Sequence, residues 1–190
     1  MRSFWPFAML VTAGVAAAGC QTGRGRVVSP ADVAAQPGWV RVDGVPFVRQ
    51  RAERDCGAAA LAMVLGYWGV AVDEGALAAA LPAPGARGLR AGELRELARA
   101  RGLDAFLIKG EPADLRAEIE RRRPLIVGLA RPDGRAVIGH YEVVIGFDHT
   151  RHRILTLDPA AGFRDSSVEE FATEWAGAQQ LALVVFRRAP

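Results

Sequence analysis

The sequence predicts a single α+β domain in which an early apolar helix packs on a mostly antiparallel sheet. Three observations predict it. The chain has 190 residues, 51% hydrophobic and 24% charged, enough to bury one core and unlike a disordered or collagen-like composition. A run without charge, Cys56–Val72, follows the polar loop Arg51–Asp55. Helical patterns dominate the first part of the domain, and short alternating stretches separated by turn signals dominate the second.

The first segment is an export signal. Arg2 precedes an uncharged stretch, Phe4–Gly19, which is interrupted by Pro6 and too short to span a bilayer as a helix. It ends in Ala17-Ala18-Gly19-Cys20. Small residues before a cysteine resemble the lipobox of bacterial lipoproteins, and in that reading residues 1–19 are removed and Cys20 becomes the acylated N-terminus. The alternative is ordinary signal-peptidase cleavage, with Cys20 free to pair with Cys56. Diacyl attachment would anchor the protein stably and leave Cys56 as the only free thiol. Residues 20–38, rich in Gly, Ser, Pro and Ala, read as a flexible tether, and residues 39–187 as the domain.

Within the domain, Trp39–Gln50 holds two alternating stretches around the turn signal Asp43-Gly44. Asp55 is placed to cap a buried helix from Cys56 that breaks near Gly66 and Gly69. Helices are expected at Asp73–Ala80, Arg90–Arg101 and Pro112–Arg122, and strands at Asp104–Lys109 and Leu125–Ala130. Gly139–Phe147 and Arg153–Leu157 read as a hairpin around Asp148–His152. A helix at Val168–Trp175 and a strand at Gln180–Phe186 complete the domain.

Charge excludes some functions. The net charge is +3, from 24 basic and 21 acidic residues, and acids alternate with arginines in Glu93–Arg101 and Asp114–Arg123. These are solvated helix faces, not the basic stripe of a nucleic-acid binder. Lys109 is the only lysine, and asparagine is absent, so a residue that orients a histidine must be Asp, Glu or Gln. Two cysteines exclude a four-thiolate zinc site. His140, His149 and His152 allow a three-histidine site by count, but no helix puts two of them on one face, and no metal or cofactor is assigned.

Cys56 begins a helix, where the N-terminal dipole favours thiolate over thiol; a buried inert cysteine is the plain alternative. His140 opens the strand GHYEVVIGF. Alternation puts His140, Glu142, Val144 and Gly146 on one face and Tyr141, Val143, Ile145 and Phe147 on the other. Glu142 therefore either shifts the imidazole, lines a cleft or sits at a strand edge. His149 and His152, in the following turn, face solvent. If the hairpin forms, Asp158 returns toward the height of His140, where a carboxylate can hold the imidazole's tautomer; Asp158-Pro159 reads equally as a turn initiator. Gln50, six residues before Cys56, offers a side-chain amide that would complete an oxyanion site with the Cys56 N–H.

Val45–Gly69 with its Gln-x5-Cys and Asp-Cys-Gly, then Gly139–Asp148 with Gly-His-Tyr, then Leu157–Pro159, together resemble the bacteriocin-processing family of papain-like cysteine peptidases. The resemblance runs from Val45 to Phe186 and implies a papain-like fold. It also implies Cys56 as nucleophile, His140 as general base and acid, Asp158 as its orienter and Gln50 as oxyanion donor. Members of that family commonly head peptide-exporting ABC transporters. This sequence carries no Gly-x4-Gly-Lys-Ser/Thr loop for ATP, so any exporter would be a separate chain. With an export signal the active side would face the periplasm, and Gln21 after Cys20 favours the outer membrane over the inner. The expected partners are peptide or protein substrates and, through the lipid, a membrane; nucleic acid is not among them. A peptidase-like lipoprotein that binds peptides without turnover, and a cell-wall amidase, are the competing functions. The amidase pattern, Asp-Cys-Ser with Gly-His-x-Gly, is absent here.

Overall fold

A computed structural model describes residues 24–71, 88–133 and 136–188. The expected signal segment 1–19, Cys20 and the helix expected at Asp73–Ala80 lie outside these residues. The described residues form eight strands: β1 (Arg26–Val27), β2 (Trp39–Arg41), β3 (Asp104–Lys109), β4 (Leu125–Asp133), β5 (Ala136–Asp148), β6 (Arg153–Asp158), β7 (Gly162–Ser167) and β8 (Leu181–Phe186). Five helices accompany them: α1 (Pro30–Ala35), α2 (Cys56–Tyr67), α3 (Ala91–Arg99), α4 (Pro112–Glu120) and α5 (Val168–Gly177). Every strand pairing is antiparallel. The order across the sheet is β1-β7-β6-β5-β4-β8-β3, with β2 on the far end of β5.

Helices cover both faces. On one, α2 and α3 bring Leu61, Met63, Leu65 and Leu94 onto Val143, Ile145, Leu155 and Leu157. On the other, α4 and α5 bring Leu115, Ile119, Phe171 and Trp175 onto Leu125, Val127, Leu129 and Val144. Helix α2 buries nine of its twelve residues. This is why its sequence is apolar all round instead of on one stripe. Gly66 lets the preceding chain cross it closely, since a Cβ there would stand 2.8 Å from Pro46.

Three local expectations are corrected. Asp55 stands at the N-cap of α2, but its carboxylate accepts the N–H of Ala52 at 3.2 Å and makes no side-chain cap. Of Trp39–Gln50 only Trp39–Arg41 is a strand. Ile145 is a bulge: the ladder to β6 passes from Val144–Thr156 to Gly146–Leu155. The extra residue reverses the alternation beyond it, so Phe147 joins Val144 on the α4–α5 side instead of sharing a face with Val143.

Part of the expected tether is also folded against the sheet. β1 extends the edge at β7, Arg26 grips Asp165 through Nε and Nη2 at 3.1 and 2.8 Å, and Ser29 caps α1 with a reciprocal bond to Asp32. The small and polar residues of 24–38 conceal the strand, because Arg26 finds its partner, Asp165, 139 residues away. β7, GFRDSS, is missed for the same reason. Its buried Arg164, Asp165 and Ser166 read as loop residues until their partners are known.

Candidate active site

The β5–β6 ladder begins at Val143–Leu157. Before it, residues 136–142 are paired with β4 on one edge only, among the described residues. The N-terminus of α2 abuts that open edge. Backbone N–H groups of Tyr141 and Gly57 reach the sulfur of Cys56, and the Tyr141 ring lies over Gly57, where a Cβ would stand 3.1 Å from it. The pairings Asp-Cys-Gly and Gly-His-Tyr are therefore two halves of one contact: glycine after the cysteine makes room for the tyrosine after the histidine. Cys56 is 6% exposed. With His140, Tyr141, Leu89, Leu129 and Ile138 it lines a cleft of about 490 Å3.

The hairpin brings His140 and Asp158 together. Their contact, Nε2 to Oδ1, is 2.9 Å, with both residues at most 2% exposed. Burial alone would raise the Asp158 carboxyl. The hydrogen bond and charge of His140, the charge of Arg131 and the Ala160 N–H outweigh it and hold the group well below the usual carboxylate range. An ionised Asp158 only accepts, so His140 carries its proton on Nε2. In the neutral ring Nδ1 is then the lone-pair nitrogen. Asp158 also starts a turn: its Oδ1 accepts the Ala160 N–H at 2.8 Å and its carbonyl the Ala161 N–H at 3.1 Å. The turn at Asp158-Pro159 and the contact with His140 are therefore compatible.

Burial pushes the His140 imidazole below its ordinary value, against the pull of the Asp158 hydrogen bond. Burial also pushes the Cys56 thiol up, against the Tyr141 and Gly57 N–H groups. Burial therefore opposes charge on each group taken alone, while the two N–H groups at the sulfur favour the thiolate, as the helix N-terminus also does. The Tyr141 phenol, half-buried and beside Cys56, is pushed up to about 12 by desolvation and stays protonated. Gln50 is tied to the same corner, since its N–H donates to the Pro159 carbonyl at 3.0 Å and Arg49 reaches the Ala160 carbonyl at 2.7 Å. The Gln50 Oε1 is buried and meets no hydrogen-bond donor among the described residues.

Glu142 neither lines the cleft nor sits at an exposed edge. It is fully buried behind the His140–Asp158 pair, bound to Arg131, Arg164 and Thr156. His140, Glu142 and Asp158 hold ligand atoms within 4.8 Å of one another, but Arg131 already binds both carboxylates. The three histidines do not converge. His149 and His152 are exposed at the far turn of the hairpin, and His149 lies about 30 Å along the strand from His140 at ~3.3 Å per residue. Sequence reasoning missed Arg131, Arg164 and Glu174, which complete the buried charge cluster. The signal for Arg131 was present: one arginine continuing the apolar run LIVGLA.

A cysteine opening a buried helix, with a carboxylate-bound histidine lining the same cleft on an antiparallel sheet, describes a cysteine peptidase of papain-like architecture. The chain belongs to the peptidase C39 family, whose profile matches residues 44–188. Solved structures agree. A double-glycine-motif protease from an AMS/PCAT transporter, in complex with its leader peptide, is similar at 27% identity and TM-score 0.62, over 78% of this chain and 94% of that one. The peptidase domain of Streptococcus ComA, a bifunctional ABC transporter of a quorum-sensing pathway, is similar at 26% and TM-score 0.63, over 76% and 100%. A C39-like peptidase from Bacillus anthracis shares the fold at 20% and TM-score 0.64, over 80% and 99%. No curated protein matches the chain. No helix among the described residues is long and apolar enough to cross a membrane.

Proposed function

We propose that the protein is an exported peptidase, anchored to a membrane through acylated Cys20, that cuts peptide bonds with Cys56, His140, Asp158 and Gln50. The observation that carries this reading is the 2.9 Å His140–Asp158 contact, which makes Nδ1 the basic nitrogen of a histidine lining the cysteine's cleft. His140 Nδ1 takes the Cys56 proton as the sulfur attacks the peptide carbonyl. The oxyanion is met by the Cys56 N–H and the Gln50 amide. The imidazolium then protonates the departing amine and leaves a thioester on Cys56. Water, deprotonated by His140, hydrolyses the thioester and restores the thiol. Asp158 keeps its charge throughout and steadies the imidazolium.

Peptides carrying a Gly-Gly pair, the motif for which the similar transporter protease is named, are the first substrates to try. A separate exporter is the partner this reading provides for. Mass spectrometry of a peptide mixture incubated with the whole protein tests it. Wild type should release new termini, and Cys56→Ala and His140→Ala should release none above background. Cleavage that persists in Cys56→Ala would overturn the mechanism. Retention of Cys20 acylation after membrane extraction, and its loss in Cys20→Ala, tests the anchor. A second reading, a peptide-binding lipoprotein without turnover, draws on the burial that raises the Cys56 thiol. Peptide retention by wild type with no cleavage would support it.

A further inference from the structure

We infer that Arg131 is a positioning residue for this reaction: it fixes the second oxygen of Asp158 and thereby the ring of His140. The inference rests on the peptidase reading above. Asp158 gives Oδ1 to His140 and to the Ala160 N–H, and gives Oδ2 to Arg131 Nη1 at 2.9 Å. With both oxygens held, the carboxylate has no freedom to rotate away from the imidazole.

Arg131 is itself held. It is 0% exposed. Nη2 meets Glu142 Oε1, and Nε stands 3.6 Å from Glu174 Oε2. Arg164 then bridges the same two glutamates, at 2.6 Å to Glu142 and 2.8 Å to Glu174. Stability gives weak reason for such a cluster, because well-packed apolar residues often serve a buried site as well or better. Position gives a stronger one, since the cluster terminates on the one carboxylate that touches His140. Formal charge fits as well. Glu142, Asp158 and Glu174 oppose Arg131 and Arg164, which leaves one negative charge in excess. That charge is matched when His140 accepts the proton of Cys56.

The groups facing His140 are Asp158 from β6, Arg131 from β4, Arg164 from β7 and Cys56 from α2, with Glu142 on its own strand and Glu174 behind them on α5. Removing the Arg131 cation should therefore move the acid limb of the kcat/KM profile to higher pH, because a cation near the imidazole opposes its protonation.

The test compares Arg131→Met, Arg131→Lys and Glu142→Gln in the whole protein, with melting curves to select folded samples. In Arg131→Met, kcat should fall about 100-fold, the scale of a misplaced catalytic group, with KM within about twofold and the acid limb moved up. Arg131→Lys should restore most of kcat and return the limb. Glu142→Gln, which keeps Arg131 and removes a neighbouring anion, should move the limb down. A tautomer readout needs no substrate: nitrogen chemical shifts should show the His140 proton confined to Nε2 in wild type and shared with Nδ1 in Arg131→Met. If no peptide is cleaved by wild type, the peptidase reading fails while this signature still decides the positioning role. A folded Arg131→Met with unchanged kcat, acid limb and tautomer overturns the inference. If Arg131→Met does not fold, Arg131→Gln replaces it, and a folded Arg131→Gln with unchanged kcat, acid limb and tautomer overturns the inference instead.

Discussion

The two faces of the sheet solve burial differently. Under α2 the buried surface is almost wholly apolar, from Ala60 to Leu65 on the helix to Val143, Ile145 and Leu155 on the strands. On the opposite face, apolar packing under α4 and α5 gives way to Arg131, Glu142, Arg164 and Glu174, each at most 2% exposed. Cys56 rides on the first face, and His140 with Asp158 is secured by the second. The apolar face supplies a rigid platform whose shape tolerates no titration. The ionic face supplies orientation and a field, and both change when a proton moves.

The largest effect is expected where the two faces meet. Cys56→Ala should lose at least about 1,000-fold in turnover, the scale seen when a nucleophile is removed from such a unit. Peptide-cleavage rates check this, and its melting point should stay close to wild type. On the ionic face, Arg164→Met should lower stability by about 3–5 kcal/mol by stranding two buried carboxylates. Chemical denaturation at pH 7 and pH 4 checks it, and the deficit should shrink at pH 4 as the stranded carboxylates take up protons. The double change Arg164→Met with Glu174→Leu should recover much of that loss, since the pair leaves together. On the apolar face, Leu61→Ala should cost about 2–5 kcal/mol, and the same two-pH comparison should show no change. A pH-dependent loss in Leu61→Ala, or a pH-independent one in Arg164→Met, would dissolve the distinction between the faces.

The wild-type protein should show the ionic face by itself. His140 is held below its ordinary value, so the unfolded chain takes up this proton first. Stability is full above ~6.5, the ordinary histidine value, and declines as pH falls through the folded value; the depressed Asp158 adds a further loss in more acid solution. The raised Cys56 thiol works at the other end, with stability declining as pH rises above ~8.5, where an unfolded thiol ionises. Denaturant midpoints across pH 4–10 check both signs. The smallest effect belongs to the N-terminal edge: Ser29→Ala should cost about 1 kcal/mol through loss of the α1 cap, read from the same curves with no change in turnover.

The apolar face was legible in the sequence because it announces itself locally. An uncharged run after a polar loop gives α2, and apolar stretches between turn signals give β3 and β6 to within a residue and β5 short by three at its start. The meeting of His140 and Asp158 was legible too, since a hairpin returns Asp158 to the height of His140. The ionic face was not. Alternation assigns a polar residue opposite an apolar one to solvent, and only the neighbouring strands show that Glu142 and Arg164 meet inside. The bulge at Ile145 was hidden because an inserted residue leaves the apolar run VVIGF unbroken. β1 and β7 were hidden because Arg26, Arg164 and Asp165 read as loop until they are paired.

The pH dependence of iodoacetamide alkylation at Cys56, read by peptide mass spectrometry on the whole protein, tests most directly whether Cys56 and His140 act as a pair. An isolated thiol of ordinary pKa is only about 1% thiolate at pH 6.5, and a buried one less. If His140 draws the proton from Cys56, alkylation at that pH should fall at least about tenfold in His140→Ala. Equal rates in the two proteins, both rising only above ~8.5, would show a thiol that titrates alone and would contradict the account.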